Sequence, residues 1–358
     1  YAIGDGAFKY SGLKSIHLNK KVQFIGNSAF AGTNIKNLQM GENVLYIGNK
    51  VFASCTSLKT IYIPANVKGI NANAFNDCSS LREIRVAAGN KNYCAKDGVL
   101  YNKSMTKLIQ YPLHKTNRSF HVPSSVRTVR SNSFNDNNYL RNLTISAGAI
   151  GNYAFQGMTK LRTVRITQGT KKIGKEAFLG CRRLSRIDIA DSVKTIGDYA
   201  FSETNIRVAH IPSGLVKMNA NAFSRCDKLS AFTGGGGRFT VKDGVLYNGP
   251  MTRLMKYPPK KNTKSFTVPR SVKYVSSEAF DRVSHLTKLY FEKGIKSLPY
   301  NCIYKVKNLK SIVFASGTKL KNGEYAVGDC PKLAVIVGPN SYPIRRMAYY
   351  ASATLITL

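Results

Sequence analysis

"IGKEAFLGCRRLSRIDI", residues Ile173–Ile189, decides the fold, because the chain writes it again and again. "INANAFNDCSSLREIRV" stands at Ile70–Val86, "IGNKVFASCTSLKTIYI" at Ile47–Ile63 and "IGDYAFSETNIRVAHI" at Ile196–Ile211. The Phe of each copy serves as a marker: Phe8, Phe30, Phe52, Phe75, Phe134, Phe155, Phe178, Phe201, Phe223 and Phe280. The spacings are 22, 22, 23, 59, 21, 23, 23, 22 and 57 residues, a unit near 22–23 that is twice enlarged by an insertion. A weaker copy, "LPYNCIYKVKNLKSIVF" (Leu298–Phe314), has Ile303 in the Phe place. A fixed period of this size predicts a solenoid, in which each unit buries its apolar face only by stacking on its neighbours.

The two insertions are copies of each other. "KDGVLYN" occurs at Lys96–Asn102 and at Lys242–Asn248, an offset of 146. The match continues through "MTKLIQYP" (Met105–Pro112) against "MTRLMKYP" (Met251–Pro258), then "SFHVPSSV" against "SFTVPRSV". Asp-Gly between alternating apolar residues marks a tight turn. Each insertion therefore reads as a β-hairpin module within a rung, near residues 90–122 and 234–268.

Within one unit, "LKTIYIP" (Leu58–Pro64) alternates as a short strand does, with Ile61 and Ile63 inward and Pro64 ending it. "VKGI" and "VKTI" give a second short alternation. Gly48, Gly174 and Gly197 follow at a bend where φ is positive or two backbones approach closely. The "AF" segment is too short for a long helix and reads as a helical turn that sends Phe into the core, making a Phe spine. Cys55, Cys78, Cys181 and Cys226 each lie three residues after the marker, where Ser11, Thr33 and Thr204 stand elsewhere. That slot wants a small side chain, so these cysteines read as compact core residues rather than as a disulfide or metal framework.

These words carry a resemblance. The pattern "IGxxAFxxCxxLxxIxIP", the "DGVLYN…YP" inserts and the ending "GPNSYPIRRMAYYASATLITL" (Gly338–Leu358) resemble the BspA-like, or Treponema pallidum type, leucine-rich repeats over nearly the whole chain. The resemblance implies a repeat solenoid of leucine-rich-repeat type: mostly short β-strands with helical turns, a curved right-handed rod over 1–338, and a C-terminal capping segment over 339–358. It further implies a secreted or cell-surface protein of host-associated bacteria, with adhesion as the reported role, and it brings no catalytic residues. The usual leucine-rich Asn ladder is missing.

Charge supplies the functional expectation. The chain has 54 Lys and Arg against 18 Asp and Glu, a net +36 over 358 residues, which invites an anionic partner. The residue after the Leu of each unit is Lys14, Lys36, Lys59, Arg82, Arg141, Arg162, Arg207 or Lys310 in eight of twelve units. The slot between the two Ile positions holds His17, Tyr62, Arg85, Arg165, His210 and Tyr290. Both slots belong to the strand that should line the concave sheet. The expected binding rows are thus Lys14, Lys36, Lys59, Tyr62, Arg82, Arg85, Arg141, Arg162, Arg165, Arg207 and His210, meeting a host protein or an acidic polysaccharide. A second basic column after the Val of the other strand (Lys68, Arg127, Lys171, Lys194, Lys217, Lys273, Lys296) keeps open a diffuse basic coat, non-specific polyanion binding that includes nucleic acid, or a passive spacer role.

Other signals carry no chemistry. His17, His114, His121, His210 and His285 are scattered without metal-ligand spacing. "GGGG" (Gly234–Gly237) lacks the Lys-Ser/Thr and helix start of a phosphate loop and reads as a flexible turn. Asp97 and Asp243 belong to turns. No apolar run approaches the ~20 residues that span a bilayer. The expectation is an interaction protein with no enzymatic activity, no cofactor, no metal and no membrane insertion.

Overall fold

The computed structural model describes residues 1–71 and 73–358, which form two compact units, Tyr1–Leu184 and Ser185–Leu358. Each is a β-solenoid in which successive rungs stack in parallel register.

In the first unit, the strand after the rung's Leu pairs with its successor: Ser15–His17 with Asn37–Gln39, and Thr60–Ile63 with Glu83–Val86. Beyond the insertion, Ser119–Val122, Asn142–Ile145 and Thr163–Ile166 continue the same arrangement. Period-two alternation sets the register. Ile61 pairs with Ile84 and both are fully buried, whereas Tyr62 and Arg85 pair on the outer face. Two-residue strands after the rung's Val make a second ladder: Phe24–Ile25, Tyr46–Ile47 and Gly69–Ile70, then Thr128–Val129, Ala149–Ile150 and Lys172–Ile173. The glycine after this ladder marks close approach, not positive φ. A Cβ on Gly48 would lie 2.8 Å from the Gly26 carbonyl carbon, and one on Gly174 would lie 2.5 Å from that of Gly151.

The "AF" segments are not the helical turns the sequence suggests, except for a single 3-10 turn at Ala220–Phe223. Elsewhere φ is positive just before the Ala position, as at Ser28 (54°) and Lys50 (55°), and again two residues after the Phe, as at Gly32 (70°) and Ser54 (59°). This alternation turns every second amide toward the next rung. The Ser28, Phe30 and Gly32 N–H groups donate to the Asn49, Val51 and Ala53 carbonyls at 2.8, 3.0 and 2.8 Å. Those of Ala29, Ala31 and Thr33 close local turns at 3.3, 3.1 and 3.2 Å. A helix would direct all its amides along itself; this backbone divides them between turn closure and stacking.

The Phe spine is present. Ring centroids step 5.3, 5.7 and 5.8 Å from Phe8 through Phe30 and Phe52 to Phe75. Beyond the insertion, Tyr111, Phe134, Phe155 and Phe178 follow at 4.7, 4.7 and 5.0 Å. Tyr111 thus takes the Phe place in the inserted rung. The slot three residues later is more than small. Cys55, Cys78 and Cys181 are fully buried, and each thiol donates to the Phe carbonyl of the preceding rung at 3.0–3.1 Å. The seven cysteines are all free.

Each insertion is a three-stranded meander rather than a simple hairpin. Tyr93–Lys96, Val99–Asn102 and Lys107–Gln110 pair antiparallel, and the third strand joins the second ladder by pairing in parallel with Thr128–Val129. In the second unit Phe239–Lys242, Val245–Asn248 and Arg253–Lys256 do the same against Tyr274–Val275. Gly234–Gly236 is not a free turn there: it ends the strand Ala231–Gly236, and Gly235 and Gly236 pair with Thr240 and Phe239.

The second unit carries its first ladder from Ser265–Val268 through Lys288–Phe291, Ser311–Phe314 and Val335–Gly338 to a last strand, Thr354–Thr357. Between the last two lies the helix Tyr342–Tyr350, with Pro343 in its first turn, where a missing N–H costs nothing. Its buried face is Pro343, Ile344, Met347 and Ala348.

Candidate binding face

Because the rungs stack in register, the residue after each Leu meets its counterpart one rung on. The Lys36 N–H donates to the Lys14 carbonyl at 3.1 Å, and the Arg82 N–H to the Lys59 carbonyl at 2.9 Å. Beyond the first insertion, Arg141 donates to Arg118 and Arg162 to Arg141, both at 2.7 Å. The first unit therefore carries two basic columns, Lys14–Lys36 with Lys59–Arg82, and Arg118–Arg141–Arg162. All of these side chains are exposed except Arg141, which is half-buried. None of the seven makes an ion pair among the described residues. Arg118 was not among the residues expected from sequence. It follows Asn117 rather than Leu, because the inserted rung departs from the pattern that defines the slot. In the second unit Arg207 accepts from the Ser230 N–H at 2.8 Å, so its column stops after one rung, and Lys264, Thr287 and Lys310 form a separate one.

The central slot of the strand is less basic than expected. In the first unit it reads His17 against Gln39, Tyr62 against Arg85, then His121, Thr144 and Arg165. His17 Nδ1 lies 3.2 Å from Gln39 Oε1. Arg85 binds Glu83 on its own strand at 2.9 Å, and that guanidinium holds the Glu83 carboxyl below the usual carboxylate range. In the second unit His210 stands 3.5 Å from Asp191, whose carboxyl is held low mainly by the Ser213 backbone N–H and less by the imidazole. A Cβ at Gly234 would strike the His210 ring, so that glycine makes room for it. Arg85 and His210 thus face carboxylates of their own.

The other ladder is basic too. Lys171 donates to the Gly148 carbonyl at 2.7 Å, Lys217 to Lys194 at 3.0 Å, Lys296 to Lys273 at 2.9 Å and Lys321 to Lys296 at 2.9 Å. Both faces of each unit carry cations. Among the described residues there is no group of three or more His, Cys, Asp or Glu placed to hold a metal ion, and no helix long and apolar enough to cross a membrane.

Short parallel ladders, a stacked aromatic spine and a buried Cys/Thr slot repeated every 22–23 residues define a leucine-rich-repeat β-solenoid with a basic strand face. The chain belongs to the BspA type leucine rich repeat family, whose model matches residues 1–106, 106–230 and 259–356 in 6 copies. It is similar to a leucine-rich repeat protein from Eubacterium ventriosum, at 28% identity over 78% of this chain and 73% of that one, TM-score 0.63. A leucine rich cell surface protein from Faecalibacterium prausnitzii matches at 22% identity, covering 88% and 83%, TM-score 0.58. A leucine-rich repeat protein from Bacteroides ovatus matches at 17%, covering 100% and 87%, TM-score 0.54. The latter two likenesses are of fold alone. No curated protein sequence matches.

Proposed function

We propose that this chain is the recognition part of a bacterial surface or secreted protein, and that it binds an acidic macromolecule, in the first place an acidic polysaccharide, through the basic strand face of its first unit without performing catalysis. The observation that carries the reading is the in-register alignment of Lys14 with Lys36 and of Lys59 with Arg82, with Arg118, Arg141 and Arg162 beyond. Rungs ~4.8 Å apart repeat these cations along the face, as an acidic polymer repeats its carboxylates or sulfates along its length, and Arg adds forked contacts. Holding like charges this close gains nothing for the fold, and salt screens the repulsion over ~8 Å. The family and the cell-surface description of the Faecalibacterium relative support a surface setting.

The basic second ladder favours another reading, attraction to any polyanion by net charge. The two separate on salt. A built face retains selectivity for one polymer at physiological salt, whereas a coat loses all anions together with a steep dependence on salt. Titrating immobilised sulfated, carboxylated and uncharged polysaccharides and duplex DNA with the whole chain, at low and physiological salt, decides between them.

A further inference from the structure

The second unit contains an open groove of about 1270 Å³ that lies on the turn side of its rungs, not on the strand face. We infer that this groove is a separate site for a short acidic oligosaccharide, whose carboxylates or sulfates sit on the groove lysines while one sugar ring packs against the exposed edge of Tyr350. The inference rests on the reading of the chain as a recognition protein for acidic partners, but it uses other residues and another ligand length.

Six cations line the groove: Lys228, Lys260, Arg282, Lys305, Lys307 and Lys332. Stacking fixes their order. The Arg282 N–H donates to the Tyr304 carbonyl at 2.8 Å and that of Lys305 to Gly328 at 3.0 Å, so Arg282, Lys305 and Asp329 occupy one slot on successive rungs. Two of the six are already oriented. The Lys332 ammonium donates to Asn308 Oδ1 at 3.0 Å, and the Asn308 amide donates to the Ser284 carbonyl at 2.8 Å. Arg282 lies 3.6 Å from both Asp227 and Asp281.

Asp227 and Asp329 stand inside the groove with Asn308 and Ser284. These groups accept hydrogen bonds from hydroxyls, which a sugar presents in number beside its anionic groups. At the helix end, the exposed rings of Tyr325, Tyr349 and Tyr350 cluster, with Tyr325 and Tyr350 centroids 4.5 Å apart and the Arg346 guanidinium 4.6 Å from the Tyr350 centroid. Of the three only Tyr350 lines the groove, and the edge that Arg346 and Tyr325 leave exposed can pack against the C–H side of a pyranose. The volume exceeds the ~300–1,000 Å³ of small-ligand pockets, which suits several linked sugars better than one.

The test is calorimetric titration of the whole chain at physiological salt with four probes: a sulfated uronate hexasaccharide, its desulfated form, a neutral hexasaccharide and a single-stranded hexanucleotide. Two variants carry the same charge change: Lys307→Glu/Lys332→Glu in the groove and Lys36→Glu/Lys59→Glu on the strand face, with Tyr350→Ala as a third. All substituted lysines are exposed, and a thermal melt checks that each variant folds. Loss of two charge-assisted contacts predicts a tenfold or greater loss of hexasaccharide binding in the groove variant. It also predicts a smaller loss in Tyr350→Ala, and a smaller loss of hexasaccharide binding in the strand-face variant than in the groove variant. The sulfated and desulfated arms tell which anion is read. Unchanged binding in the groove variant, equal losses in both lysine variants, or equal affinity for the hexanucleotide would each overturn the inference. A strand-face variant that keeps its long-polymer binding would instead overturn the proposed function and leave the groove standing.

Discussion

Phe155 shows most plainly what a single side chain contributes. It is fully buried between Phe134 and Phe178, at 4.7 and 5.0 Å, so truncation opens a cavity that two neighbouring rungs share. Phe155→Ala is expected to cost about 3–5 kcal/mol, measurable by denaturant unfolding. The cysteine slot has a signature of its own. Burial pushes the Cys181 thiol up to about 12, and the half-buried Cys330 up to about 11. The native state therefore holds protons that an unfolded chain, with thiols near ~8.5, has already released. Their contribution is complete below that value and is lost as pH rises through the native values, so stability falls in the alkaline range. Neutral-pH labelling with a thiol reagent is expected to spare Cys55, Cys78, Cys181, Cys226 and Cys302 in the folded protein and to reach all seven in denaturant. Prompt native labelling of Cys181 would contradict its place in the core. The Cys/Ser/Thr alternation was readable in sequence as a small slot. That the slot also caps a carbonyl was not, because the acceptor belongs to another rung.

Among the elements, the turns taught the most. Periodicity identified the strands because alternation in "TIYI" and "EIRV" leaves one buried face. The "AF" segments offered no period, and a short apolar turn looks alike in sequence whether its amides point along the chain or across to the next rung. The structure chose the second, at the cost of left-handed φ at non-glycine residues such as Ser28 and Lys50. Gly48 belongs to the same stacking. Gly48→Ala is expected to destabilise by about 1–3 kcal/mol through overpacking against Gly26, while an exposed change such as Asn49→Ala costs less; equal costs on thermal melting would exclude close approach as the reason for the glycine. The insertions show how far internal comparison reaches. The offset of 146 places Gln110 opposite Lys256, and both are buried. The Gln110 amide donates to the Ser133 carbonyl, and the Lys256 ammonium donates to that of Glu278 at 2.8 Å, with burial drawing the Lys256 pKa down. Lys256→Gln, which keeps a donor, is expected to destabilise less than Lys256→Met, which strands the Glu278 carbonyl and removes the cation facing Asp281.

For the molecule as a whole, the solenoid class and its basic columns were legible because they depend only on what recurs. Lys14, Lys36, Lys59 and Arg82 fall into register simply because each rung has nearly the same length. What recurrence could not show was the neighbour that breaks it. Glu83 beside Arg85 and Asp191 beside His210 occupy two of the expected contacts, and Arg118 joins a column from a rung whose motif is interrupted. The groove near the C-terminal helix escaped the sequence reading altogether, since its lysines come from several turns and share no single slot. The most direct test of the central claim is binding of the whole chain to immobilised acidic polysaccharide at physiological salt, compared with Lys14→Glu/Lys36→Glu/Lys59→Glu/Arg82→Glu. Selective binding by the native chain that falls at least tenfold in the variant, each charge-assisted contact being worth about 1.5–3 kcal/mol, is the predicted result. Equal binding by the two proteins, or binding to every anion that disappears together as salt is raised, would contradict it.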